Sequence, residues 1–118
     1  IKASKREINV DELTHYYIAK VDNKNIGVLT SKRRDNILEL TSLYILAEYQ
    51  HCGIGKKFVE KLIQDNPNKN IVLEVAIYNE NAINFYKKLG FIETGKKEDF
   101  KLKSGKCIPV LEMLLKKF

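Results

Sequence analysis

The run IVLEVAI, Ile71 to Ile77, constrains this chain most. It is almost continuously apolar, which predicts a strand buried on both faces and therefore central in a sheet. Its one charge, Glu74, stands out. A helical run lies on either side. Before it, Ile54, Phe58 and Leu62 recur with Val59 and Ile63 at spacings of three and four, forming one apolar stripe. DNPNKN follows, and Pro67 closes that helix. After it, a second helix is predicted from about Glu80 to Leu89, with Asn79 placed to cap it and Gly90 to end it. Its stripe is Ala82, Phe85, Tyr86 and Leu89.

Upstream, Tyr16 to Val21 and Ile26 to Ser31 are rich in β-formers, and Asp22 and Asn23 between them tolerate turn geometry. NILELTSLYIL predicts a third strand. Strict alternation points Leu38, Leu40 and Ser42 one way and Glu39, Thr41, Leu43 and Ile45 the other. The segment from Phe91 onward reads as two final strands around a polar loop with Gly105, and Pro109 predicts an edge position or a bulge. The order is strand, strand, strand, helix, strand, helix, strand, strand. The expected class is α/β of the α+β type: a single mixed, mostly antiparallel sheet with helices on its faces. Residues 1–13 are weakly patterned, and NVDEL there reads as a short helical turn.

Composition bounds the partners. A chain of 118 residues fits one domain. Its 44% hydrophobic and 31% charged content suits a globular fold and argues against disorder. No apolar run nears the ~20 residues that span a bilayer, and no leader pattern is visible. Cys52 and Cys107 form no CxxC, disulfide framework or zinc ligand set; reduced thiols in a cytoplasm are the plain reading. The net charge of +6 suits an anionic ligand without selecting one. Nucleic acid is disfavoured, because no basic stripe interleaved with aromatics appears.

YQHCGIGKKFVEKL places Gly53 and Gly55 at the mouth of the first helix. A helix start exposes unpaired N–H groups and the positive end of its dipole, and anions bind there. Glycine leaves the main chain open to a phosphate, and Lys56 and Lys57 add positive charge at the rim. For a bare GxG, a tight strand-to-helix turn with no ligand is the better explanation. No GK[ST] follows for a P-loop, and Phe58 holds the third glycine position of the dinucleotide fingerprint.

The wider context of LYILAEYQHCGIGKKFVEKLI and LEVAIYNENAINFYKKLGF resembles the GNAT superfamily of acetyl-coenzyme A-dependent N-acetyltransferases. Gln50, Gly53 and Gly55 match its (Q/R)-x-x-G-x-G/A element. Asn79, Ala82, Tyr86, Gly90 and Phe91 match its N-x-x-A-x-x-x-Y-x-x-x-G-F element. The strand and helix order agrees from Thr14 onward. The resemblance implies acetyl-CoA as cosubstrate and no metal. The pyrophosphate would lie on Gln50, His51, Cys52, Gly53, Ile54, Gly55 and Lys56, and the pantetheine arm would pair with the backbone at Tyr44, Ile45 and Leu46. His51 and Cys52 depart from the small or basic pair usual inside that loop. Only thirteen residues precede Thr14, so the expectation is a single domain over residues 1–118 without the family's usual first strand and helices.

Acyl transfer to an amine needs a neutral nitrogen. For a lysine-like amine of pKa about 10.4, deprotonation near pH 7 costs roughly 4–5 kcal/mol. Tyr86 falls on the family's catalytic tyrosine and is the implied general acid; packing in the helix stripe is the plain alternative. Glu74 is the first candidate base, twelve positions before Tyr86, as in the ribosomal-protein N-terminal acetyltransferase branch. A surface Glu paired with a Lys is its plain alternative. Glu39 is the runner-up base. Asn79 is a cofactor contact or a pure cap. The implied function is transfer to a primary amine acceptor, a small molecule or a protein amine, in the cytoplasm and off the membrane, with a homodimer left open. A non-catalytic acyl-CoA-binding or regulatory module is the other reading, favoured by the short N-terminus.

Overall fold

The computed structural model describes the backbone of residues 2–7 and 14–117 and the side chains of residues 16–117. Seven strands and two helices follow in the order β1 (Lys2–Glu7), β2 (Thr14–Val21), β3 (Lys24–Arg34), β4 (Ile37–Ile45), α1 (Ile54–Asp65), β5 (Asn70–Ala76), α2 (Glu80–Lys88), β6 (Ile92–Lys101) and β7 (Cys107–Leu115). They form one sheet in the order β1-β2-β3-β4-β5-β7-β6. Every neighbouring pair is antiparallel except β4 with β5, which the α1 crossover makes parallel. The mixed, mostly antiparallel sheet expected from the sequence is present.

Local chemistry explains the connections. Asp22 and Asn23 both adopt left-handed backbone, φ 49° and 65°, in a two-residue turn between β2 and β3. That geometry matches the natural twist of the flanking strands. The Asn79 side chain accepts from Ala82 N at 3.1 Å and caps α2. The apolar stripe of α1 is buried through Ile54, Phe58, Val59 and Leu62. In α2, Ile83 and Tyr86 are the buried pair, so Ile83 joins the stripe read from the sequence.

Four expectations are corrected. First, β1 pairs antiparallel with β2 from Lys2↔Lys20 to Glu7↔His15, so a strand does precede the hairpin. Backbone pairing along the open edge of β2 creates it without an apolar pattern of its own. The helical turn read in NVDEL lies outside the described residues. Second, β5 is buried on one face only. Ile71, Leu73 and Val75 enter the core, whereas Glu74 is exposed. Both helices feed the same core as Leu38, Leu40, Leu73 and Met113. The opposite face, with Glu39, Glu74 and Glu112, therefore carries neither helix.

Third, β4 does not alternate strictly. Ser31 pairs with Leu40 and Thr30 with Ser42, which leaves Thr41 as a bulge. The extra residue shifts the pleat, so Leu43 and Ile45 pack on the same core as Leu38 and Leu40. Fourth, Pro109 sits in β7, an interior strand between β5 and β6. Its carbonyl accepts from Ile77 N at 3.1 Å, one step beyond the last β5–β7 pair, Ala76↔Val110. The return bond of the Ile77–Pro109 pair, to Ile77 O, is the one a proline cannot donate, and the β5–β7 ladder ends there. Among the described residues no helix is long and apolar enough to cross a membrane.

Candidate active site

The sheet opens at its centre. The parallel ladder between β4 and β5 runs from Ile37↔Asn70 to Leu40↔Leu73 and stops. Beyond it, Ser42 to Ile45 pair only with β3, and Glu74 to Ala76 only with β7. The Thr41 bulge falls where the two strands part. It turns β4 away from β5, as bulges bend the strand that carries them. Glu74 is the first residue of β5 past the parting.

From the end of β4 the chain passes through a short turn of helix, Ala47–Tyr49, to the glycine loop. His51 and Gly53 both take left-handed backbone, φ 64° and 82°. Gly53 is the N-cap of α1. Among the described residues no side chain caps this helix, and its first turn carries no acidic residue to offset the dipole. A Cβ on Gly53 would meet nothing within 4 Å, so the space beside this cap is open. Exposed Lys56 and Lys57 add two cations nearby. The backbone conformation, the uncompensated dipole and the two lysines are the features that favour an anion at a helix start.

The second glycine serves a different purpose. A Cβ on Gly55 would lie 3.1 Å from Phe85 Cζ and 3.4 Å from Ile45 Cδ1. Gly55 thus lets α1 approach α2 and β4. Gly55→Val is expected to lower stability by about 1–3 kcal/mol through overpacking; an unchanged melting temperature would count against that role. Gln50 also has an internal partner, because its Nε2 donates to Ile45 O at 3.0 Å and braces the loop against the end of β4. His51 and Cys52 are exposed, and the Cys52 thiol lies 3.6 Å from Gln50 O. Tyr44 is exposed beside a small apolar hollow formed with Ile18, Val28 and Leu46. Asn79 acts as a cap through its side-chain oxygen.

Tyr86 is 8% exposed and makes edge contacts with Phe85 and Phe91, at centroid distances of 5.1 and 5.5 Å. Burial pushes its phenol up to about 12, so it is protonated throughout the neutral range.

Glu74 lies on the other face, in a cavity of about 750 Å³. Glu39, Glu98, Glu112, Arg34 and Lys96 also line it. Glu39 is held by Arg34 at 3.1 Å. Among the described residues no hydrogen bond or ion pair engages Glu74. Its carboxyl is raised above the ordinary range, first by partial burial, then by the carboxylates of Glu98, Glu39 and Glu112, with Lys96 opposing. The two carboxylates thus differ in their partners: Glu39 pairs with Arg34, whereas Glu74 has no ion-pair partner among the described residues. Sequence reasoning missed Glu98, Glu112 and Lys96. Glu112 in LEMLL carried the same signal as Glu74, a lone charge in an apolar strand. Glu98 and Lys96 lie in a charged run that reads as solvated surface.

Comparison with known proteins agrees with this geometry. Residues 2–91 match the family model described as Acetyltransferase (GNAT) family, and the chain belongs to that family. A curated relative, N-alpha-acetyltransferase 50 of Danio rerio, is 43% identical over 65 residues, covering 50% of this chain and 39% of its own. The chain spans between 39% and 56% of the length of the first three curated relatives it matches. Among solved structures, the ribosomal-protein-S18-alanine N-acetyltransferase from Escherichia coli superposes with a TM-score of 0.77 at 22% identity, over 89% of this chain and 70% of its own. A GNAT acetyltransferase from Elizabethkingia anophelis with acetyl-CoA bound superposes with a TM-score of 0.72 at 18% identity, over 88% and 76%. At these identities the structures show a shared fold.

Proposed function

We propose that this chain moves an acetyl group from acetyl-CoA to a primary amine by direct transfer, with Glu74 as general base and Tyr86 as general acid. The observation that carries this reading is the unpaired carboxylate at the parting of β4 and β5, with a buried phenol on the opposite, helix-bearing side of the sheet. The resemblance in the N-x-x-A-x-x-x-Y element and the acetyl-CoA-bound neighbour support it.

Bound acetyl-CoA supplies an activated thioester carbonyl. The chain's own residues would do the rest. The first-turn amides of α1 and the open face of Gly53 suit the pyrophosphate, with Lys56 at the rim. The edge of β4 at Tyr44 to Leu46 is free of β5 and suits an extended arm, although the Ile45 carbonyl is already taken by Gln50. Glu74 takes the proton of the incoming ammonium, which makes the nitrogen nucleophilic. As the carbon–sulfur bond breaks, Tyr86 donates its proton to the sulfur, and the second proton shed by the acylated nitrogen returns through solvent to the phenolate. The burial that raises the phenol also raises the proton affinity of a thiolate leaving beside it.

A thiol-release assay over a panel of primary amines tests the reading. Turnover of an amine supports it; acetyl-CoA binding without turnover of any amine would make the chain a binding module. Tyr86→Phe is expected to lower kcat by roughly 10²-fold or more with little change in KM for acetyl-CoA, because the proton is needed mainly in the transition state. Full activity of that variant would confine Tyr86 to packing.

A further inference from the structure

The parting of β4 and β5 is fastened from a third strand. Thr30 stands on β3 between the buried Leu29 and Ser31, so its side chain faces the helix-free side of the sheet. Its Oγ1 is hydrogen-bonded to Thr41 Oγ1 at 2.6 Å and to Ser42 Oγ at 2.5 Å. Thr30 is the register partner of Ser42, whereas Thr41 is the extra residue with no partner on β3. One hydroxyl thus holds both residues of the bulge. Among the described residues the Thr41 side chain makes no other hydrogen bond.

The place of this fastening gives it meaning. Thr41 follows Leu40 and Glu74 follows Leu73, the last pair of the parallel ladder. The two residues therefore flank the point where the strands separate. From there β4 runs on to its free edge at Tyr44 to Leu46, and β5 continues from the Glu74 carboxylate. The spacing between that edge and that carboxylate is set at the bulge.

Magnitudes decide what the hydroxyls contribute. Losing the bulge would return β4 to strict alternation and turn Leu43 and Ile45 out of the core. Burial of two aliphatic side chains outweighs two hydrogen bonds open to solvent. The bulge therefore persists without the hydroxyls. What they fix is the orientation of Thr41, an exposed residue that neither the ladder nor the core holds. Acyl transfer is sensitive on this scale, since a misplacement of about 1 Å costs up to roughly 10²-fold in rate.

We propose that Thr30 is a positioning residue for acetyl transfer: its hydroxyl pins Thr41 and Ser42 and so sets the β4 edge at a fixed spacing from Glu74. This rests on the acetyl-transfer reading above.

The test uses the thiol-release assay on the full chain, with acetyl-CoA and the amine of the panel that the unmodified chain uses fastest. Thr30→Val keeps the β-branched shape and removes the hydroxyl. Its kcat is expected to fall roughly tenfold, with KM for acetyl-CoA within about twofold of the parent's, because the glycine loop has its own brace in Gln50. The melting temperature should stay close to the parent's. Thr30→Ser, which keeps the hydroxyl, should recover most of the loss. In a Thr41→Val/Ser42→Ala background, Thr30→Val should cost nothing further, since its partners are gone. Full kcat in Thr30→Val, no recovery in Thr30→Ser, or a further loss of similar size in that background would overturn the proposal while acetyl transfer stands. So would a fall in melting temperature large enough to account for the lost activity. No turnover of any amine by the unmodified chain would instead remove the acetyl-transfer reading itself.

Discussion

Glu74→Gln is expected to cut turnover by roughly 10²–10⁴-fold, the usual worth of a positioned base, with acetyl-CoA affinity nearly intact. Glutamine keeps the shape and a hydrogen-bonding group but cannot take the proton. In the unmodified chain the rate should rise with pH through the apparent pKa of Glu74, which lies above the ordinary value of 4.5. The groups that set it come from every flanking strand: Glu39 on β4, Glu112 on β7, Glu98 and the opposing Lys96 on β6. The same shift acts on stability. The folded chain holds this proton more tightly than the unfolded chain does. The contribution of Glu74 is therefore favourable near and below the unfolded value and is lost as pH rises through the folded one. Above that window the ionised carboxylate opposes folding. Glu74→Gln should thus melt higher than the parent at pH 7 and show no gain in strong acid. A lower melting temperature at pH 7 would mean that Glu74 has a stabilising partner. Glu39→Gln should do far less to turnover, because Glu39 is engaged by Arg34; the reverse ranking would move the base to β4.

Gly53→Val is expected to weaken acetyl-CoA binding at least tenfold, which is about 1.4 kcal/mol or more. Two effects combine. A β-branched residue is strained at φ 82° and tends to turn the first amides of α1 away. Its side chain also fills the space that the Gly53 Cβ position leaves open. Calorimetry on Gly53→Val beside Gly55→Val separates the two glycines. The first should lose affinity at modest cost in melting temperature, and the second should lose stability because it strikes Phe85. Unchanged affinity in Gly53→Val would remove the cofactor from this helix start.

Much of the fold and site was legible because local rules acted unopposed. The stripes of α1 and α2, the Asn79 cap and the Asp22–Asn23 turn depend on neighbours in sequence, and the glycine and N-x-x-A-x-x-x-Y elements pointed to the family on spacing alone. Legibility failed where a distant strand set the outcome. Strict alternation put Leu43 and Ile45 on the wrong face, since the Thr41 bulge exists only against Thr30 and Ser31 of β3. Pro109 predicts an edge at that point or a bulge, and only the strand pairing shows that β7 is interior while its ladder to β5 ends beside the proline. The strand at Lys2–Glu7 takes its form from the edge of β2. At the site, residue types nominate both Glu74 and Glu39, and only the fold brings Arg34 beside Glu39. The grouping of Glu74 with Glu98 and Glu112 was invisible for the same reason. Its members lie far apart along the chain, and strand register alone makes them neighbours, because side-chain electrostatics depends on distance in space and the sequence records only distance along the backbone.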